Sequence, residues 1–429
     1  MTLQNPVIVI PGITASGLVD RYPLDADEIW SMIINREYER LALHPDNLRF
    51  EAIEPADVAV GRLFPLYDDL IKALRHELSP RADHPTPVFA FPYDWRMDIG
   101  QSARQLKEFI DEVIARTRLM RHYSSTPGLR VDLAGHSMGG LIIGELLAEF
   151  GPAASVGKVA TTGTPWHGSI EAIVKIATGM SLLTGSDPQE REREAARVTP
   201  ALYQLLPGYP GAVVDESGND VDIFDPANMQ VSIVDSLAEF VRIYSVDTRA
   251  ADRRKRAEAI LAEMLEAAKR HRATIRRLRT KATSVSQSDW LVLAGVGQKT
   301  RLQLTVERDR RGPRFVVAEH QFVNELSPDS PTSRRTGDGT VPLPAAIPPF
   351  LPEKNVVCVS EGDLGYMEFR DRILVEFGGL HAFLPRVNLV QRLVIKHFRP
   401  SYRGRVWGRR LPGSSSWNPP IDGLQELPH

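Results

Sequence analysis

The sequence predicts an α/β protein in which a mainly parallel sheet is flanked by helices and interrupted by an inserted, mostly helical cap or lid. Three observations carry that reading. Short β-branched runs alternate with amphipathic helical periods through the first 165 residues, the alternation breaks between residues 166 and 330, and apolar sheet-like runs return near the end. With 429 residues and 42% hydrophobic side chains, the chain can bury a sizeable core.

The elements follow in order. "PVIVIPG" (6–12) is a buried strand closed by Pro11 and Gly12, and "LYDDLIKALRHEL" (66–78) has apolar residues at helical spacing. "TPVFAFPYDWR" (86–96) reads as a second strand running into a loop. "SARQLKEFIDEVIARTRLM" (102–120) is an amphipathic helix with Leu106, Phe109, Ile110, Val113 and Ile114 on one face. "LRVDLAG" (129–135) is a strand, "GGLIIGELLAEFG" (139–151) a helix stopped by Gly151, and "SVGKVATTGTPWHG" (155–168) supplies another strand.

Residues 1–165 and 331–400 are then expected to form the α/β core and 166–330 the cap, with some core strands near 289–323. Within the cap region, residues 249–281 form one long helical pattern with 12 basic against 4 acidic residues. It is followed by the strand "DWLVLAGVG" (289–297) and a hairpin over 301–323. "NVVCVS" (355–360) is a strand, and "VNLVQRLVIKHF" (387–398) is the last amphipathic helix. The tail 401–429, rich in Pro, Gly and Ser, is expected to be irregular.

Composition bounds function. The net charge of −2 provides no general attraction to nucleic acid, so none is expected as a partner. A lone cysteine, Cys358, rules out an intramolecular disulfide and behaves as a small hydrophobe. The start of the chain lacks a basic and then apolar leader, and no apolar run reaches 18 residues, which reads most simply as a cytoplasmic chain. Neither a metal-ligand pattern such as HExxH nor a Gly-rich nucleotide signature occurs, so no metal or cofactor is expected. Oligomeric state is not encoded in any of these features.

The chemistry starts at "GHSMG" (135–139). Between a strand and a helix, a Gly-x-Ser-x-Gly segment forms a sharp elbow whose glycines prevent clashes that would otherwise forbid the turn. The elbow displays the Ser137 hydroxyl at the sheet edge and aims the Met138 amide at the space where an oxyanion would form. A serine hydroxyl needs a histidine base, and the histidine needs an acid, in the chain order Ser, acid, His. His381, in the loop "GGLHAFLP", is the candidate base, since His397 lies in a helical pattern and His429 is terminal. Asp338 in "TGDGTVP" and Asp363 in "SEGDLGY" are both candidate acids.

Seven segments, in order, carry a resemblance: "PVIVIPGITASGL", "FPYDWR" (91–96), "AGHSMGGL" (134–141), "TTGTPWHGS" (161–169), "TPALYQLLP" (199–207), "GDGTVP" (337–342) and "GGLHAFLP" (378–385). Together they resemble the lecithin:cholesterol acyltransferase and lysosomal phospholipase A2 family. The resemblance implies an α/β-hydrolase fold with a cap and a lid, esterase chemistry on lipids, Ser137 as nucleophile, Asp338 as acid and His381 as base. It implies Ile13 as the second oxyanion-hole amide beside Met138. It also puts the family's lid and membrane-contacting insertion in the segment after Gly17 that includes Trp30. Many relatives are secreted or lysosomal and carry disulfides, whereas this chain has one cysteine.

The expected activity is a serine esterase acting on a lipid or phospholipid, as phospholipase A or lipase, through an acyl-serine. The alternatives are an acyltransferase sharing that intermediate and an inactive binding protein on the same scaffold. Trp30, Trp95 and Trp166 are candidate acyl-channel residues, weighed against plain packing. Asp94 and Arg96 read as a structural ion pair. The apolar stretch 173–183 reads as a lid or a buried cap helix, and the basic helix as a solvated surface or a seat for anionic headgroups, with peripheral membrane contact as the consequence.

Overall fold

The computed structural model describes residues 3–31, 37–79, 81–180, 190–247, 249, 252–317, 337–364 and 379–428. Six strands form the central sheet: β1 (Val7–Ile10), β2 (Val88–Ala90), β3 (Val131–His136), β4 (Val156–Thr162), β5 (Trp290–Val296) and β6 (Val356–Ser360). Their spatial order is β2-β1-β3-β4-β5-β6, and every neighbouring pair is parallel. A parallel sheet is covered on both faces, which is why β1, β3 and β5 are buried along their whole length rather than at alternate positions.

The covering helices follow the apolar periods. Helix α1 (Asp68–Leu78) and the last helix, α7 (Asn388–Phe398), cover one face, where Leu70, Val390 and Val394 meet Ala134 and Ala160. Helix α2 (Ile99–Arg118) starts where the Asp98 side chain accepts from the Gln101 amide, and it buries Leu106, Ile110 and Val113 completely. Phe109 and Ile114, expected on the same stripe, are only partly buried at its edge. Helix α3 (Met138–Phe150) covers the other face and is buried on nearly every side. Its second layer is the cap, made of α4 (Ile170–Thr178), α5 (Val231–Tyr244) and α6 (Arg253–Arg277).

Several boundaries differ from the sequence reading. Of the two cap segments expected to lend strands to the core, β5 joins the central sheet. The hairpin Leu304–Asp309 and Gly312–Val316 instead pairs with Val213–Asp215 in a separate three-stranded sheet, and residues 318–323 of the expected hairpin lie outside the described residues. The basic helix is shorter than its charge pattern, and residues 181–183 of the apolar stretch also fall outside the description.

The insertion after β1 holds strands the sequence did not reveal. Ser16–Asp20 lies between Asp27–Trp30 and Val58–Leu63 in an antiparallel sheet, beside the hairpin Leu43–His44 and Asn47–Glu51. The tail is anchored rather than loose. Arg409 exchanges two backbone hydrogen bonds with Cys358 on β6, and Trp407–Gly408 pairs with Gln425–Glu426. No helix among the described residues is long and apolar enough to cross a membrane.

Candidate active site

The site is built where β1, β3 and β5 end. Ser137 follows β3 with φ 53° and ψ −126°, outside the ordinary regions for a side-chain-bearing residue, and α3 begins at Met138. The glycines on either side are required by close approach. A Cβ on Gly135 would lie 2.7 Å from the Ile143 side chain, and one on Gly139 would lie 2.5 Å from the Ile10 carbonyl. The turn therefore closes only because both positions lack side chains, and it leaves the hydroxyl at the carboxyl edge of the sheet.

His381 and Asp338 converge on it. His381 Nε2 lies 2.9 Å from Ser137 Oγ, and His381 Nδ1 lies 2.6 Å from Asp338 Oδ2. The second carboxylate oxygen of Asp338 is held by the amides of Thr340 and Val341 at 3.0 and 2.7 Å, and the His381 amide donates to the Asp338 carbonyl at 2.9 Å. Acid and base are thus fixed through backbone as well as side chain. Asp338 fits there because Gly295 on β5 has no Cβ to occupy its place.

The rival acid is spent elsewhere. Asp363 accepts from Arg409 at 2.5 Å, from Trp407 Nε1 at 2.9 Å and from the Ser360 amide at 2.9 Å, so it ties the tail to the end of β6.

The loop after β1 runs directly over the nucleophile. A Cβ on Gly12 would lie 3.0 Å from Ser137 Cβ, so the loop that carries Ile13 passes close against the elbow from which α3 starts at Met138. Among the described residues no cluster of three or more ligand-type side chains could hold a metal ion.

With the geometry in place, the sequence profile of the lecithin:cholesterol acyltransferase family matches residues 50–345, more than half of the chain. The chain belongs to the lecithin:cholesterol acyltransferase family. The α/β-hydrolase fold is shared with a chain in the crystal structure of the Tle4–Tli4 complex, at a TM-score of 0.61 and 16% identity, covering 94% of this chain and 100% of that one. A second solved structure, of the gene lin2722 products from Listeria innocua, is 13% identical over 57% of this chain and 81% of its own, with a TM-score of 0.18. No curated protein sequence matches the chain. At family level, the chain is an enzyme of lipid-ester hydrolysis or acyl transfer.

The three candidate tryptophans of this lecithin:cholesterol acyltransferase family chain are all buried in its apolar core. Trp30 donates its indole N–H to the Thr14 carbonyl at 2.8 Å and packs 5.1 Å from Trp95, so both rings stand beside the Gly12–Thr14 loop. Trp166 is the most deeply buried of the three. It is 1% exposed and packs edge-on against Trp290 and Phe350 at 6.0 and 5.1 Å, which makes it core. Arg96 is buried, bound to Asp94 at 2.7 Å and to Glu51 at 2.8 Å.

Sequence reasoning missed Tyr67 and His136. Tyr67 Oη lies 2.9 Å from the Gly12 amide and 2.7 Å from His136 Nδ1, and His136 Nε2 lies 2.9 Å from the His381 carbonyl. Burial, and then repulsion from His381, push His136 down to about 3, so its ring is neutral at ordinary pH. His136 was in plain view inside "GHSMG". Nothing local marks Tyr67.

Proposed function

We propose that the chain is a serine esterase of lipid esters, a phospholipase A or lipase working through an acyl-serine. One observation carries the reading, the continuous hydrogen-bonded line from Asp338 through His381 to Ser137. In this mechanism His381 Nε2 removes the hydroxyl proton as Ser137 Oγ attacks the ester carbonyl, and Asp338 stabilises the resulting imidazolium. The amides of Ile13 and Met138 bind the tetrahedral oxyanion, each such donor contributing about 3 kcal/mol to the transition state. His381 then protonates the leaving alcohol. Water attacking the acyl-serine completes hydrolysis.

Membership in a family named for acyl transfer supports a second reading, in which a lipid alcohol takes the place of water. Peripheral contact with a lipid surface belongs to either reading and is supported by the exposed Tyr22, Leu24 and Phe50 of the insertion.

A fluorophosphonate probe is expected to label the wild-type chain at Ser137, and Ser137→Ala is expected to abolish ester cleavage; absence of an adduct on wild type would support the binding-protein alternative instead. Radiolabelled phospholipid vesicles, with and without added alcohol, separate the two enzymes. Release as free fatty acid alone excludes acyl transfer.

A further inference from the structure

Three segments must stay in register for the proposed chemistry: the loop carrying Gly12 and Ile13, the elbow carrying Ser137, and the loop carrying His381. A single buried line of hydrogen bonds joins them. The Gly12 amide donates to Tyr67 Oη at 2.9 Å, Tyr67 Oη lies 2.7 Å from His136 Nδ1, and His136 Nε2 lies 2.9 Å from the His381 carbonyl oxygen.

The direction of every proton along this line is set by its ends. A carbonyl oxygen only accepts, so His136 Nε2 carries a hydrogen; an amide only donates, so it points at the Tyr67 oxygen. The Tyr67 hydroxyl proton then has one acceptor within reach, the bare Nδ1 of His136. Tyr67 is 1% exposed, and the pair borders a void of about 10 Å³ whose remaining lining is mostly apolar, Val9, Leu70, Val390 and Val394 among it, so bulk solvent does not reach the hydroxyl. Protonating His136 would force two donors onto the Tyr67 oxygen and strand its hydroxyl proton. The ring stands 5.1 Å from that of His381, where a second positive charge would oppose the imidazolium formed in the reaction.

We propose that Tyr67 and His136 are positioning residues, with His136 locked as the neutral Nε2–H tautomer so that the oxyanion loop, the elbow and the base loop are held together from beneath. The proposal rests on the esterase reading above. Neither side chain touches the substrate in this role. They act through Gly12 and through the His381 backbone.

The first test is ¹⁵N NMR of histidine-labelled wild type, with the His136 signal assigned by its loss in His136→Gln. An Nε2–H tautomer that does not titrate between pH 5 and 8 is expected. A titrating ring, or the Nδ1–H tautomer, overturns the proposal.

The second test is kinetic. In Tyr67→Phe, kcat for a p-nitrophenyl ester is expected to fall about tenfold or more while KM stays within about twofold, the split produced when a misplaced group is needed only in the transition state. His136→Gln, which keeps an N–H donor able to reach the His381 carbonyl, should retain more activity than His136→Leu. Wild-type kcat in Tyr67→Phe, or equal loss in the two His136 variants, overturns the proposal while leaving the esterase reading intact. Failure of wild type to react with a fluorophosphonate would instead remove the reading beneath it. Should Tyr67→Phe not fold, the NMR result on wild type decides alone.

Discussion

At Ser137 the chain accepts a backbone conformation that costs about 1–3 kcal/mol for a residue with a side chain. Its φ of 53° and ψ of −126° are tolerated because α3 and β3 are buried on both sides of the turn and leave no alternative path. The strain has a measurable consequence. Ser137→Gly is expected to be more stable than Ser137→Ala by roughly 1 kcal/mol in denaturant unfolding, because glycine adopts this region freely, although both variants lack the hydroxyl. Equal stability would mean that the elbow is relaxed. The two aspartates teach a related point. Asp338 and Asp363 both follow a glycine in a loop before His381, and turn chemistry does not separate them, although the resemblance of "GDGTVP" favours Asp338. Their partners do: backbone amides and His381 for one, Arg409 and Trp407 for the other.

Between elements, two contacts govern how accurately the site is held. Strand β5 passes under Asp338 at Gly295, where a methyl group would land on the Asp338 Cβ. Gly295→Ala is therefore expected to displace the acid loop and lower kcat about tenfold or more in steady-state assays, since errors near 1 Å at a reacting group can cost about 100-fold. Helix α3, which starts at the nucleophile, meets cap helix α6 through Glu145 and His271, 2.5 Å apart. Burial, and then the nearby Asp98 charge, raise the Glu145 carboxyl from its ordinary 4.5 to about 8, against the smaller opposing pull of Arg104 and Arg272. Burial also holds the His271 ring neutral, well below the usual imidazole range. A raised carboxyl pKa means the folded chain keeps a proton that the unfolded chain releases above about 4.5. Its contribution to stability is complete below that value and is lost as pH rises through about 8. Glu145→Gln, which cannot ionise, is expected to gain melting temperature relative to wild type between pH 5 and pH 8. An unchanged difference across that window would show that the carboxyl is ionised throughout.

For the whole molecule, the cap is not a separate body. Ile275 of α6 presses on Gly144 of α3, and buried Arg272 donates to the carbonyls of Trp166 and Gln204, so cap and sheet share one apolar core. Calorimetry is expected to record one cooperative transition; two resolved transitions would show that the cap unfolds alone. On the basic surface of α6, Arg254 is paired to Asp235 and Glu258 and Arg270 to Glu266, all of them exposed pairs. By itself the sequence determined the alternation of strands and helices and the elbow, because hydrophobic period and glycine placement act within a few residues of chain. The small strands between Ser16 and Leu63 escaped it, since "SGLVD" and "VAVGRL" do not alternate apolar with polar residues. Tertiary structure alone decided that Trp166 is core and that Tyr67 reaches His136, and it set Asp338, the acid that the "GDGTVP" resemblance implies, against His381. Each of those outcomes depends on which side chains meet across long stretches of chain; Ser137 and His381 are 244 positions apart, a distance over which no local pattern carries information.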